Sequence, residues 1–344
     1  MIEMILKKSA LIKILESVFK TVGFLSLNLF RWLIWSVLGT LSLFGIRFFD
    51  YIFMVYPGTD ADVHGYCKPP WLASLLAKSP FFSKRPALAG IISKNCAGRG
   101  LTLVVPNTSE QFKSDKDVCN KVMERLEWIQ RVIGAKAIAL AGQAPGMIIR
   151  NGISVNEPFV RGNKGTVFCV METINEVAKK HNLDPLKASI IVVGVGYVGG
   201  LLLKELRNEK YNAIGVDIEM KDNGIVALRE DSSLFLPLAD ITVVLTPKGS
   251  DFAPYLRYLK KGSIVIDDTH PRMEQLSGFS FYKVAVGIED TAFYPKLPGY
   301  HQKWIPGCAV EAIVASATGK FNGIPQIRFN EEAKKLGLYA HLVS

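Results

Sequence analysis

The chain has 344 residues, a formal net charge of +10, 49% hydrophobic residues and 21% charged residues. That length and apolar content exclude a disordered polypeptide and leave room for two domains with substantial cores. The Lys and Arg residues are dispersed, with no block of five or more like charges; this argues against nucleic acid as a partner and suits an anionic membrane surface or an acidic carrier protein.

The chain begins with a greasy segment. From Thr21 to Ile46 the only charge is Arg31, and Trp32 to Ile46 carries none. A comfortable transmembrane helix needs about 20 apolar residues, so the charge-free part alone is short. It lacks the small-residue cleavage pattern of a signal peptide. Lys7, Lys8, Lys13 and Lys20 precede it, which holds the N-terminus in the cytoplasm by the positive-inside rule. A single span would then export everything after residue 56, although that part reads as a user of a cytoplasmic dinucleotide. The expectation is a monotopic segment over residues 1–56 on the cytoplasmic face, with Arg31 and Arg47 reaching the headgroups. A single-pass span and a buried oligomerisation helix are the competing readings.

Residues 57–182 read as a smaller α/β domain on the substrate side. Leu101 to Val105 is strand-like, Asp115 to Ile133 has a helical pattern, and Ala135 to Leu140 is a second strand entering the turn Ala141-Gly142-Gln143-Ala144-Pro145-Gly146. Thr166 to His181 is an amphipathic helix leading into the next domain.

Residues 183–303 carry the most specific pattern. Ser189 to Val193 (SIIVV) is a β-branched run of the kind buried on both faces of a sheet. Gly194-Val195-Gly196-Tyr197-Val198-Gly199 follows at once, and then a helical LLLKEL. This is G-x-G-x-x-G between a strand and a helix, the context a Rossmann dinucleotide site requires. Gly194 makes the tight turn, Gly196 admits the pyrophosphate, and Gly199 lets the helix pack close. Tyr197 and Val198 open the helix whose free N–H groups face the anion. A second strand, Asn212 to Val216, ends on Asp217, placed to take the adenine-ribose hydroxyls. A carboxylate there repels a 2′-phosphate, so NADH is the expected cofactor, with NADPH still admissible.

Asp240 to Leu245 and Ser263 to Ile266 read as further strands, and Tyr282 to Val286 as a fifth. Ligands bind beyond the carboxyl ends of such strands. Thr246 and Pro247 after one strand, and Asp268, Thr269, His270 and Arg272 after the next, therefore lie on the nicotinamide edge. The fold class is α/β in two lobes: the smaller domain, a Rossmann domain, and C-terminal helices in 304–344 that return to the first domain and leave a cleft.

The five cysteines (Cys67, Cys96, Cys119, Cys169, Cys308) are odd in number and form no C-x-x-C pair, and the five histidines are scattered. Neither a disulfide framework nor a metal site is expected. Cys308 stands out because Pro306 and Gly307 precede it and a helical run follows. A thiol at a helix start meets unpaired N–H groups and the positive end of the dipole, which favour the thiolate. Beside a hydride donor, such a thiolate can take an acyl group from a thioester for reduction to an aldehyde. His270, with His301, is the candidate proton donor, and Lys164 and Arg272 could hold an anionic part of the donor. A small cysteine packing at a helix start is the competing reading.

The stretch Gly162 to Asp184 running into SIIVVGVGYVGG resembles the long-chain acyl-(acyl carrier protein) reductases, whose order is G-N-x-x-T, helix, Rossmann strand. Ala139 to Ile148 resembles their glycine-containing turn, and CAVEAIVASATGKF resembles their A-C-x-x-E-x-x-x-x-x-x-G element. The resemblance covers roughly residues 95–340. It implies that Cys308 carries the acyl group, that Glu311 falls on the family's glutamate, and that acyl carrier protein or acyl-coenzyme A is the donor. The family prefers NADPH, whereas Asp217 favours NADH; the D-D-T-H-P-R segment and the hydrophobic front end are departures. The expected function is thus a membrane-associated, NAD(P)H-dependent acyl-thioester reductase, compatible with a homo-oligomer. A two-domain dehydrogenase for a small polar substrate and a non-catalytic NAD-binding membrane scaffold are the alternatives.

Overall fold

A computed structural model describes residues 26, 28–58, 85–219, 226–274, 277–297, 299–319 and 323–342. Lys7, Lys8, Lys13, Lys20, Cys67 and the first part of the hydrophobic segment lie outside the described residues. The described residues fall into two compact units. One lies within Met1–Val160, Ala292–Pro298 and Ala315–Asn322; the other lies within Arg161–Thr291, Gly299–Val314 and Gly323–Ser344.

The first unit contains α1 (Arg31–Leu43), β1 (Tyr51–Val55), β2 (Ala87–Asn95), β3 (Gly98–Val104), α2 (Ser109–Ser114), α3 (Lys116–Ile133), β4 (Ala137–Leu140), α4 (Ala144–Arg150) and β5 (Phe159–Val160). Its sheet runs Phe293–Tyr294, β2, β3, β1, β4, β5. The pairs β3–β1, β1–β4 and β4–β5 are parallel, while β2 is antiparallel to β3 and to Phe293–Tyr294. β1 corrects the expectation that residues 1–56 form one helical segment. Tyr51 to Val55 are all buried between β3 and β4. A strand covered on both faces has no polar alternation, so YIFMV reads as a continuation of the greasy run before it.

α3 shows how sequence builds a packed helix here. Asp115 caps it, its Oδ1 accepting from Asp117 N at 2.9 Å and Val118 N at 3.1 Å. Val118, Val122, Leu126, Ile129 and Ile133 form its buried stripe. Gly134, at φ 70°, ends it in the left-handed cap conformation. α1 packs along α3, turning Arg31 and Trp35 inward. Arg31 is therefore buried, against the expectation that it extends outward to headgroups; Arg47 is exposed. Among the described residues no helix is long and apolar enough to cross a membrane.

The second unit contains α5 (Asn163–Lys180), β6 (Ser189–Val193), α6 (Tyr197–Asn208), β7 (Asn212–Asp217), β8 (Val226–Leu228), α7 (Ser232–Phe235), β9 (Ile241–Val244), β10 (Ile264–Asp267), β11 (Ser280–Lys283) and β12 (Val286–Gly287). Later in the chain come β13 (Phe293–Tyr294, in the first unit), α8 (Gly307–Thr318), α9 (Gln326–Lys335) and β14 (Tyr339–Ala340). The main sheet is wholly parallel in the order β11-β10-β9-β6-β7-β8. Read from the β8 side this is 3-2-1-4-5-6, the doubly wound Rossmann order. α5, placed with the preceding domain by the sequence, belongs to this unit: the boundary falls at 160/161, not 182. Its Phe168 meets Phe329 of α9 edge-on at 6.4 Å.

Candidate active site

The glycine turn sits where the sheet order reverses, between β6 and β9. Gly194 has φ +93°, and a Cβ there would lie 2.9 Å from the Leu245 carbonyl carbon and the Thr246 nitrogen after β9. A Cβ at Gly199 would lie 2.2 Å from the Gly194 oxygen. Backbone packing therefore requires both glycines. Gly196 differs, since a Cβ there would meet nothing within 4 Å. The space it leaves open adjoins the first turn of the 12-residue α6, whose amides face outward. Asp217 ends β7, half-buried, with Oδ1 accepting from Ile218 N at 2.6 Å. The Thr246 hydroxyl donates to Lys248 O at 2.9 Å, beside exposed Pro247. Tyr197 is exposed and Val198 half-buried. The open cradle, the helix start and the strand-end carboxylate together fit a nicotinamide dinucleotide.

The loop after β10 is held from inside. Asp267, buried, accepts from Thr269 N at 2.7 Å, from the Thr269 hydroxyl at 2.6 Å and from Met273 N at 3.1 Å. Buried Lys283 lies 3.8 Å from the same carboxylate and donates to Thr269 O. A Cβ at Gly249 would stand 2.4 Å from Met273 N, so the loops after β9 and β10 close on each other. Asp268 opens the loop after β10, within electrostatic reach of Cys169 on α5. Burial pushes its carboxyl up to about 7, and Asp267 adds to the rise; Lys283 opposes it. His270 is exposed, its ring 5.7 Å from Tyr300. Arg272 is exposed on the same loop. His301 packs beside Trp304 at 5.5 Å, and its Nδ1 accepts from Lys303 N at 3.3 Å.

α8 begins at Gly307, so Cys308 lies in its first turn, half-buried, where the helix N–H groups lack intrahelical partners. Here α8 crosses the start of α5 at glycines. Gly162, at φ +77°, is the residue before α5, and a Cβ on it would lie 2.7 Å from Cys308 Cβ. A Cβ on Gly165 would lie 2.2 Å from Gly307 O, and one on Gly307 would lie 2.6 Å from Thr166 Cα. Glu311, in α8, reaches across to the start of α5. Its carboxylate, 3% exposed, accepts from Lys164 N at 3.0 Å and so caps α5, whose own cap position is a glycine. Burial raises the Glu311 pKa against the pull of Lys164. The Lys164 amine is lowered, by burial first, with Glu311 opposing and Arg161 adding to the fall.

Arg161 joins this crossing to the glycine turn: its Nη1 donates to the Tyr197 hydroxyl at 3.5 Å. Neighbouring Asn163 is also buried at the start of α5. On the next turns of α5, fully buried Cys169 has its thiol pushed well up, by burial first and then by Asp268 and Cys308. Cys169 is thus within electrostatic reach of both Asp268 and Cys308, and Arg161 ties the start of α5 to the Rossmann turn. Lys164 stands in the first turn of α5; His270, His301 and Arg272 stand on exposed loops. Sequence reading did not single out Arg161, and it reached Asn163 only as part of the G-N-x-x-T resemblance, although both flank Gly162 in the R-G-N-K-G stretch. It named Asp268 only as one of several strand-end residues.

The second unit is a Rossmann-type dinucleotide-binding domain by its strand order and its glycine turn. No family model matches the chain. No curated protein matches it. Similar solved structures include L-tryptophan dehydrogenase from Nostoc punctiforme, at 10% identity and TM-score 0.41, over 84% of this chain and 80% of that one. Malic enzyme from Pyrococcus horikoshii is similar at 11% identity and TM-score 0.39, over 83% of this chain and 81% of that one. An NADPH-dependent glyoxylate/hydroxypyruvate reductase from Sinorhizobium meliloti is similar at 14% identity and TM-score 0.25, over 30% of this chain. The chain spans 52% of that reductase's length. At such identities and TM-scores these likenesses assign no activity to this chain.

Proposed function

We propose that the protein is an NAD(H)-dependent oxidoreductase that reduces a long-chain acyl thioester to a fatty aldehyde through Cys308, on the cytoplasmic face of a membrane. One observation carries this reading. Cys308 is a half-buried thiol in the first turn of α8, held against the glycine start of α5 and linked through Arg161 and Tyr197 to the dinucleotide turn.

The Cys308 sulfur bonds to the acyl carbon while the carbon–sulfur bond to the carrier breaks, and the carrier leaves as a thiol. NADH, when bound on Gly194, Gly196, Gly199 and Asp217, supplies the hydride. Asp268 is half-protonated near neutrality and gives its proton to the thiohemiacetal oxygen; His270 or His301 is the alternative donor. Breaking the carbon–sulfur bond then releases the aldehyde and restores Cys308. The balance is acyl thioester, NADH and one proton in, and aldehyde, carrier thiol and NAD⁺ out. Lys164 and Arg272 offer cations to an anionic donor, which is acyl carrier protein or acyl-coenzyme A.

Incubating the protein with a labelled long-chain acyl thioester and no nucleotide should trap label on Cys308. Adding NADH should release it as aldehyde. Cys308→Ala should neither label nor reduce, yet still bind NADH. The tight glycine crossing also favours a second reading, in which Cys308 only packs and the substrate is small and polar. Full reductase activity in Cys308→Ala would select that one.

A further inference from the structure

In the first unit, between α1 and α3, lies a cavity of about 510 Å³, a size common for small-ligand sites. Its lining brings together Arg31, Arg85 and Arg125 with Trp32, Trp35 and Trp128. No Asp or Glu lines it among the described residues. Arg31 is only 8% exposed. Burial lowers its pKa, and Arg85 and Arg125 lower it further by repulsion. Three like charges gathered around one partly dry space favour an anion there.

The outer side of α1 adds a second feature. Phe30, Trp32, Leu33 and Val37 are 48–64% exposed, and Leu43 and Phe44 at its end are 88% and 78% exposed. An apolar strip of this kind marks an interaction surface. Arginine pairs with phosphate oxygens through two parallel bonds, and tryptophan favours the boundary between headgroup and hydrocarbon. A phosphate carried on hydrocarbon chains satisfies the cavity and the strip together; a free phosphate leaves the strip uncovered.

We infer that the cavity formed by Arg31, Arg85 and Arg125 is a headgroup site for an anionic phospholipid, with the exposed side of α1 lying in the bilayer surface. The inference rests on the membrane-surface part of the proposed function and is independent of the redox chemistry.

The test uses the full chain and vesicles of phosphatidylcholine alone or of phosphatidylcholine with phosphatidylglycerol. Arg85 and Arg125 are exposed, so Arg85→Gln and Arg125→Gln leave the core intact, which circular dichroism checks. Each should weaken binding to the anionic vesicles about fivefold, and the pair about 25-fold, as expected for cations at an anionic surface. The pair Lys121→Gln and Arg131→Gln removes the same number of charges from exposed positions of α3 that do not line the cavity, and should change binding less than about twofold. Equal binding of the wild type to both vesicle types would end the headgroup site and keep the membrane reading; binding to neither would end both. Equal losses in the two pairs would reduce the effect to diffuse charge and overturn the site. Self-association without lipid, abolished by the arginine pair, would assign the face to a second copy and overturn it as well.

Discussion

Asp268 carries chemistry that its sequence alone does not announce. Its carboxyl is pushed from 3.8 to about 7, mainly by burial. In the unfolded chain it titrates near 4. Between about pH 4 and pH 7 the folded state therefore holds a proton that the unfolded state has lost, and stability falls as pH rises through that window. The slope is at most about 1.4 kcal/mol per pH unit from this group. Asp268→Asn removes it, so urea unfolding should show the variant gaining on the wild type between pH 5 and pH 8. If Asp268 is the proton donor, the wild-type rate should also decline above about pH 7, and the variant should lose that limb together with most of its rate. Asp217 is simpler. Its carboxylate ends β7 where a 2′-phosphate would stand, so NADH should bind more tightly than NADPH. Asp217→Ser should narrow or reverse the gap in paired titrations. Asp217 was legible because it closes a strand at a fixed distance from the glycines. Asp268 was not, because its shift comes first from burial in the folded chain, which the local sequence does not announce.

Among elements, β1 separates what local pattern reveals from what it hides. The alternation of strand and helix from Ser189 to Ile266 was readable because each buried strand ends in a turn and each helix has a stripe. Between Thr21 and Val55 the break is slight, only Gly45, Arg47 and Asp50, so a helix and a central strand read as one apolar segment. The difference matters for truncation. Removing residues 1–56 deletes β1 with its five buried side chains. At about 1.5–3 kcal/mol each, that matches the whole stability of a typical domain, about 5–15 kcal/mol. Removing residues 1–48 takes α1 and keeps the sheet. Far-UV circular dichroism and limited proteolysis should show the shorter deletion holding a protease-resistant first unit and the longer one losing it. The shorter form should no longer sediment with anionic vesicles.

For the whole molecule, the sequence conveyed the architecture of each unit better than their boundary. Composition and strand spacing indicate an α/β chain with a Rossmann domain, and the parallel order β11-β10-β9-β6-β7-β8 agrees. The boundary was misplaced because α5 is amphipathic and adjoins the earlier strands in sequence, whereas its partners are α6, α9 and β14 in the second unit. The candidate site was legible only in its glycines, its strand-end residues and one thiol. The crossing that assembles it depends on Gly162 meeting Cys308 and Gly165 meeting Gly307, contacts between segments more than 140 positions apart that no local pattern announces.

The Glu311 carboxylate that closes the start of α5 has a kinetic consequence. A helix normally frays at its first turn on its own, since its cap is a neighbour in sequence. Here the cap arrives from α8, and the Lys164 amide is protected only while α8 is in place. Opening of either helix start should therefore release both. In native-state hydrogen exchange, the amides of Lys164 and Gly165 should share one opening free energy with those of Val310 and Glu311. Glu311→Gln, which keeps a weaker acceptor, should lower that shared value by about 1 kcal/mol. Separate values for the two helices, or a drop confined to α5, would mean that α8 and the start of α5 move independently.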